Sequence, residues 1–142
     1  MSDPELIRRM RAVEAAQAQF AGKAFRLGKV DCAALAAALL SPFGWVLPSL
    51  GGYSTELGAK RKLLRLGVPD MAALIDMIGL VRIAPASARL GDIMFMPGEG
   101  KHAIGALTIA MGNGAMLGWH GDHDALVSMR ADTVTAAWSV IP

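Results

Sequence analysis

The amino-acid sequence predicts an α+β fold in which N-terminal helices pack on a C-terminal antiparallel sheet. Residues 1–79 show the periodicity and the glycine and proline stops of helices, whereas residues 80–142 contain short apolar segments separated by turns. Helices followed by strands along the chain are typical of α+β domains. The 142 residues show no linker or internal repeat, so we expect a single domain over residues 1–142.

The first helix is predicted to begin at Ser2 or Asp3, both good N-caps, and to end near Gly22. Apolar residues recur along it at spacings of three and four, which predicts a stripe facing the core. That stripe comprises Leu6, Met10, Val13, Gln17 and Phe20. We expect the arginines of this helix, including Arg9, to lie largely outside the stripe.

Three further helices are expected, at residues 33–40, 53–66 and 69–78. In the helix over 53–66, four leucines are predicted to face inward: Leu57, Leu63, Leu64 and Leu66. The loop over 41–52 joins the second and third helices and is rich in proline, glycine and apolar residues. We expect its Trp45 and Leu47 to pack over the second helix.

Short strands are predicted at 80–83, 93–96, 104–111, 115–119, 125–129 and 136–141. The segment Gly112-Asn113-Gly114 is a hairpin turn signal between the third and fourth of these strands. The last strand carries Trp138, a large aromatic anchor for the core.

Composition excludes several classes of protein. Hydrophobic residues make up 54% of the chain and charged residues 18%, which excludes a disordered chain. The net charge is +2, and basic residues are dispersed apart from Lys60, Arg61, Lys62 and Arg65, so no nucleic-acid partner is expected. Prolines interrupt the apolar stretch 33–50, so no membrane span is expected, and the N-terminus lacks the pattern of a signal peptide.

The only cysteine, Cys32, lies where a polar turn runs into the second helix, in residues 28–35 (GKVDCAAL). A single cysteine excludes an internal disulfide and a cysteine-based zinc site. Asp31 is a good N-cap, which would place Cys32 in the first turn, where the helix dipole and free amides favour a thiolate. The alternative is that Cys32 is a small buried apolar residue, and its position alone favours this alternative.

The three histidines, His102, His120 and His123, all lie in the strand half of the chain. A helix cysteine facing a sheet imidazole, which a third polar group orients, is the arrangement of a thiol hydrolase. The segment 120–124 (HGDHD) also contains metal-ligand types, but a polar turn is the better interpretation of it. We therefore expect no metal and no cofactor.

Three segments resemble motifs of the NlpC/P60 superfamily. Residues 28–35 resemble its nucleophile motif, residues 89–95 (RLGDIMF) its Gly-Asp strand opening, and residues 106–114 (ALTIAMGNG) the strand and turn that usually begin with the catalytic histidine. The resemblance implies a papain-like core in which Cys32 is the nucleophile. It covers roughly residues 20 to 142.

Within that superfamily, the chain is most similar to short phage and prophage tail-region proteins. The similarity rests on a helix that begins with Tyr-Ser and continues to a Gly-Ala pair, as at 53–65, and on a terminal Ala-Trp strand, as at 137–140. The resemblance implies a protein made in the bacterial host cytoplasm and located in the virion tail, with other tail-tip proteins as partners.

The chain departs from the superfamily pattern at the base. The position of the superfamily histidine falls on Ala106, and His102 lies four residues earlier, about 13 Å away along a strand. The orienting position falls near Gly118, with His120 two residues further on.

Three functions therefore remain open at this point. The first is a structural component of a tail tip or baseplate with an incomplete dyad. The second is an active cysteine peptidase or amidase that cleaves peptidoglycan peptides during DNA entry, with Cys32 as nucleophile and His102 or His120 as base. The third is an adaptor or chaperone for tail assembly.

Overall fold

In the computed structural model, which describes residues 4–119, 125–131 and 133–141, helices precede strands along the chain. The described residues form the helices α1 (Glu5–Phe20), α2 (Cys32–Leu40), α3 (Glu56–Arg65) and α4 (Met71–Ile78). They also form the strands β1 (Val81–Ile83), β2 (Ile93–Met96), β3 (Ala106–Gly112), β4 (Ala115–Gly118), β5 (Val127–Arg130) and β6 (Ala136–Ser139). The predicted α+β class is confirmed.

The strands form one six-stranded antiparallel sheet in the order β1-β6-β2-β3-β4-β5. The predicted hairpin connects β3 and β4, and its central residues Asn113 and Gly114 have φ values of 55° and 76°. Two-residue hairpins of type I′ require positive φ at both positions, which explains the Asn-Gly pair. A bulge between Ala110 and Gly112 precedes the turn.

Side-chain caps determine where three of the helices begin. The side chains of Asp31, Thr55 and Asp70 accept hydrogen bonds from the first-turn amides of α2, α3 and α4 at 2.8–3.0 Å. The cap at Thr55 corrects the predicted start of the third helix, because it leaves Tyr53 in the preceding loop. Among the described residues, no helix is long and apolar enough to cross a membrane.

The main core lies between the helices and one face of the sheet. Leu107 and Ile109 of β3 pack there together with α2 residues such as Leu35 and Leu39. Trp138 is fully buried in this core, and its indole N–H donates to Asp76 Oδ1 at 2.8 Å. A second, smaller cluster on the other sheet face contains Met94, Ala110, Met116 and Ala137.

The predicted stripe of α1 is only partly correct. Val13 and Phe20 are buried, but Gln17 is exposed, and Leu6 and Met10 are 61% and 43% exposed. The buried face is rotated and comprises Arg9, Ala12, Val13, Ala16 and Phe20.

The inward leucines of α3 also need correction. Leu63 is buried, whereas Leu64 is 56% exposed and Leu66 is 39% exposed. The physical reason is that the buried face of α3 is narrow. Among the described residues of this helix, only Ala59 and Leu63 are buried. A helix with so narrow a buried face leaves apolar residues on its flanks accessible.

A buried ion pair explains why Arg9 faces inward. Its Nη1 donates to Asp92 Oδ1 at 2.7 Å and to the Leu90 carbonyl at 2.9 Å. Asp92 also accepts the backbone N–H groups of Arg89 at 2.8 Å and Val140 at 3.1 Å. This cluster joins α1 to the start of β2 and the end of β6.

Replacing Arg9 by Met should lower the free energy of unfolding by about 3–5 kcal/mol, because it leaves the Asp92 carboxylate buried without its cation. Urea denaturation followed by circular dichroism measures this loss. The exposed Arg61 of α3 provides a matched control, and R61M should change stability by about 0.5 kcal/mol or less. A loss below about 1 kcal/mol for R9M would contradict the assigned role of the pair.

Candidate active site

The candidate site is built on the N-terminus of α2. Cys32 is the first residue of this helix, and the preceding Asp31 is its extended N-cap. Asp31 Oδ1 accepts the Ala34 N–H at 3.0 Å, and Oδ2 accepts the Gly28 N–H at 2.8 Å. Gly28 has a φ of 86°, and a Cβ there would lie 2.0 Å from the Tyr53 carbonyl oxygen. Only glycine therefore fits this turn.

Tyr53 directly follows the loop over 41–52 and connects it to the N-terminus of α2. Its hydroxyl donates to Asp31 Oδ2 at 2.5 Å. Burial, followed by the hydrogen bond and charge of Asp31, raises the pKa of the Tyr53 phenol well above its usual value. The Tyr53 phenol is therefore a neutral hydrogen-bond donor at physiological pH. The buried Asp31 carboxylate accepts three hydrogen bonds in total, from Gly28, Ala34 and Tyr53.

Cys32 is partly buried against the main core, and the backbone N–H of Leu107 in β3 is among the amides that act to lower the pKa of its thiol. Burial of the thiol and, to a lesser degree, the Asp31 charge raise the pKa of Cys32 to about 11. The amides of Leu107, Cys32 and Ala33 act in the opposite direction but do not compensate for burial. The helix terminus therefore supplies the expected amides, yet the thiol is neutral near pH 7 because desolvation dominates.

The neighbouring base position lacks a proton acceptor. Ala106 is the first residue of β3 and immediately precedes Leu107, whose amide meets the thiol. It pairs with Met96 of β2. A methyl side chain cannot take a proton from Cys32.

His102 is exposed and lies in the turn that precedes β3. Within the described part of the chain, the groups that act on the Cys32 thiol are backbone amides and Asp31. His120 lies outside the described residues, as does the rest of the segment 120–124 with His123.

The orienting position is occupied by Gly118, the last residue of β4. A Cβ there would lie 3.1 Å from Thr108 Cγ2, so Thr108 fills the space into which a larger side chain would extend. Among the residues that the structure describes, no group of three His, Cys, Asp or Glu could hold a metal ion.

Sequence reasoning missed two contacts that shape the site. One is the hydrogen bond from the Tyr53 hydroxyl to Asp31. In the sequence, the feature that could have indicated it is a tyrosine directly after a glycine-rich loop. The other is Trp119, which follows β4 and donates its indole N–H to the Lys23 carbonyl at 3.0 Å. Its ring packs edge-on against Phe20, with 5.9 Å between the centroids. This contact anchors the end of β4 to the loop between α1 and α2.

Comparisons with known proteins extend these observations. Residues 7–140 match the family described as a domain of unknown function, DUF6950. No curated protein matches the chain. The fold is similar to that of the P60 domain of an antigen from M. avium subspecies paratuberculosis, with a TM-score of 0.60 at 15% identity over 96% of this chain and 97% of that chain.

Two further solved structures are similar. The peptidoglycan hydrolase RipB from Mycobacterium tuberculosis has a TM-score of 0.58 at 16% identity, over 99% of this chain and 69% of that chain. NlpC1 from Trichomonas vaginalis has a TM-score of 0.58 at 12% identity, over 98% of this chain and 47% of that chain. The predicted NlpC/P60 fold is confirmed by these similarities.

Alkylation of Cys32 in the folded protein should be slow at pH 7 and should accelerate about tenfold per pH unit up to about pH 10, because only the thiolate reacts. The reason is the pKa of about 11 that burial imposes on the thiol. Mass spectrometry of iodoacetamide-treated protein measures the rate. A short unstructured peptide containing cysteine serves as control, and its rate should level off above about pH 8.5. Rapid labelling of the protein at pH 6 to 7 would contradict the neutral thiol.

Proposed function

We propose that this chain, which belongs to the DUF6950 family of domains of unknown function and has the NlpC/P60 fold, is a structural component of a phage or phage-like tail tip or baseplate. The proposal rests on the resemblance of residues 53–65 and 137–140 to segments of short phage and prophage tail-region proteins. In this proposal the hydrolase fold is retained as a scaffold and the catalytic dyad is incomplete. The protein is made in the cytoplasm of a bacterial host and resides in the virion tail, where its partners are other tail-tip proteins.

The observation that carries the loss of catalysis is the environment of Cys32. Its thiol meets the Leu107 amide at the start of β3, where Ala106 stands at the base position. With a pKa of about 11, about one thiol in 10,000 is ionised at pH 7. A thiol protease needs a base or a lowered pKa at this atom, and the described residues supply neither.

The loop over 41–52 supports a role in assembly. Its Val46 side chain is 81% exposed, the largest value among the large apolar residues that are described. The loop is nevertheless held in place, because the Trp45 indole N–H donates to the Val140 carbonyl at 2.9 Å. A fixed loop that presents an apolar side chain to solvent is suited to contact with a neighbouring protein.

A second candidate function is cleavage of peptidoglycan peptides. It is favoured by the place of Cys32 at the N-terminus of α2, where its backbone N–H is suited to stabilise an oxyanion formed by attack of the thiolate. The base would be His120 or His102. RipB, which is a peptidoglycan hydrolase, has the same fold.

A cleavage assay separates the two candidates. Purified protein incubated with muropeptides should release no product above the level of its C32A variant, because the thiol lacks a base; liquid chromatography with mass spectrometry detects the products. RipB in parallel provides the positive control. Cleavage by the wild type that C32A abolishes would overturn the structural proposal, and H102A and H120A would then identify the base.

The tail location is tested in particles. In the source strain, an epitope-tagged copy should co-purify with phage-like particles and should be found at the tail end by immunogold electron microscopy. V46D should reduce incorporation by about tenfold, because a carboxylate would be buried at the contact. V81D is the matched control, since Val81 on the edge strand β1 is also exposed, at 62%. Absence of the wild type from particles, or equal incorporation of both variants, would contradict the proposal.

A further inference from the structure

An open groove of about 660 Å³ lies between the C-terminal end of α1 and the outer side of α2. Phe20 and Val30 contribute to its lining, and Ala34, Ala37 and Ala38 of α2 form one wall. The groove is open to solvent, so it offers a surface for a partner rather than an enclosed ligand cavity. Cys32 is not among the residues that line it.

The composition of α2 shows that this wall is unusual for a solvent-facing surface. The helix reads CAALAAALL and contains no charged side chain. Its buried residues are Leu35, Ala36, Leu39 and Leu40, so the alanines at 33, 34, 37 and 38 remain partly accessible. No residue of α2 is fully exposed, and these alanines are the part of the helix that solvent still reaches.

The rim of the groove is cationic. Lys23 and Lys29 both line it and both are exposed, and no carboxylate of the described residues lines it with them. The Lys23 ammonium lies 5.8 Å from the centroid of the Phe20 ring. In the described part of the chain, neither lysine forms an ion pair. A partner that carries carboxylates beside an apolar surface would therefore complement this rim.

A second hollow lies on the other side of the same wall. It has a volume of about 210 Å³ and is lined by Ala34 and Ala37 together with Leu47 and Leu50 of the apolar loop. Asp31 and Tyr53 line its end near the N-terminus of α2. The α2 surface is thus a low ridge between two hollows. A helix laid along such a ridge places large side chains at i and i+3 or i+4 into the hollows on either side.

From these observations we infer that the groove between α1 and α2 docks an amphipathic helix of another protein, with apolar side chains toward Ala34 and Ala37 and carboxylates toward Lys23 and Lys29. The exposed part of this chain's own α1 does not fit that description, because arginines are interspersed with its apolar residues Leu6, Ile7 and Met10. The inference is independent of whether Cys32 is catalytic.

Two designed helical peptides of about 18 residues, about 27 Å long, test this inference. Both peptides have the same apolar face of Leu and Ala. The positions that border this face are Glu in one peptide and Lys in the other. Fluorescence anisotropy with the full chain should show about tenfold tighter binding of the Glu peptide, and this preference should shrink as NaCl is raised because exposed charges are screened. The double variant K23E/K29E should reverse the preference, and A37E should abolish binding of both peptides.

The double variant R61E/K101E is the matched control, because both residues are exposed and lie outside the groove. It should retain the wild-type preference, and circular dichroism should show all variants folded. Absence of binding, equal binding of the two peptides, or a preference unchanged in K23E/K29E would overturn the inference. If sedimentation shows that the protein self-associates and that A37E abolishes this association, the groove binds a second copy of the chain. That result would also overturn the inference.

Discussion

The ion pair between Arg9 and Asp92 is the interaction on which the arrangement of helices and sheet depends. Asp92 is buried at the start of β2 and receives Arg9 from α1 together with the amides of Arg89 and Val140. One carboxylate thus joins the first helix, the central strands and the end of the last strand. A buried charge of this kind is costly without its partners, so the elements that supply them are held in one arrangement. The Gly-Asp motif therefore has a structural role that needs no catalysis.

Asp31 shows the same separation between a motif and its chemistry. It caps α2, holds the turn at Gly28 and binds the Tyr53 hydroxyl. The negative charge of Asp31 also contributes to raising the pKa of Cys32. The residue that builds the helix terminus therefore favours the neutral thiol, which illustrates that fold alone does not determine function.

Two surfaces near α2 are candidates for binding a partner: the apolar loop carrying Val46 and the cationic groove, which Cys32 does not line. Both are formed by elements that the core and the hydrogen bonds of Trp45 and Asp31 hold in place. Rigid surfaces lose little conformational entropy when they bind, which is consistent with the proposed role in assembly.

The sequence by itself determined the helix and strand order, the Asn113-Gly114 hairpin and the capping of α2, because these depend on local periodicity, turn chemistry and side-chain caps. The same local signals could not reveal that Arg9 is buried, since its partner Asp92 lies 83 residues away. They predicted Cys32 at a helix N-terminus but not the desolvation that raises its pKa. Only the tertiary structure decided these points, because burial and long-range pairing depend on how distant segments pack.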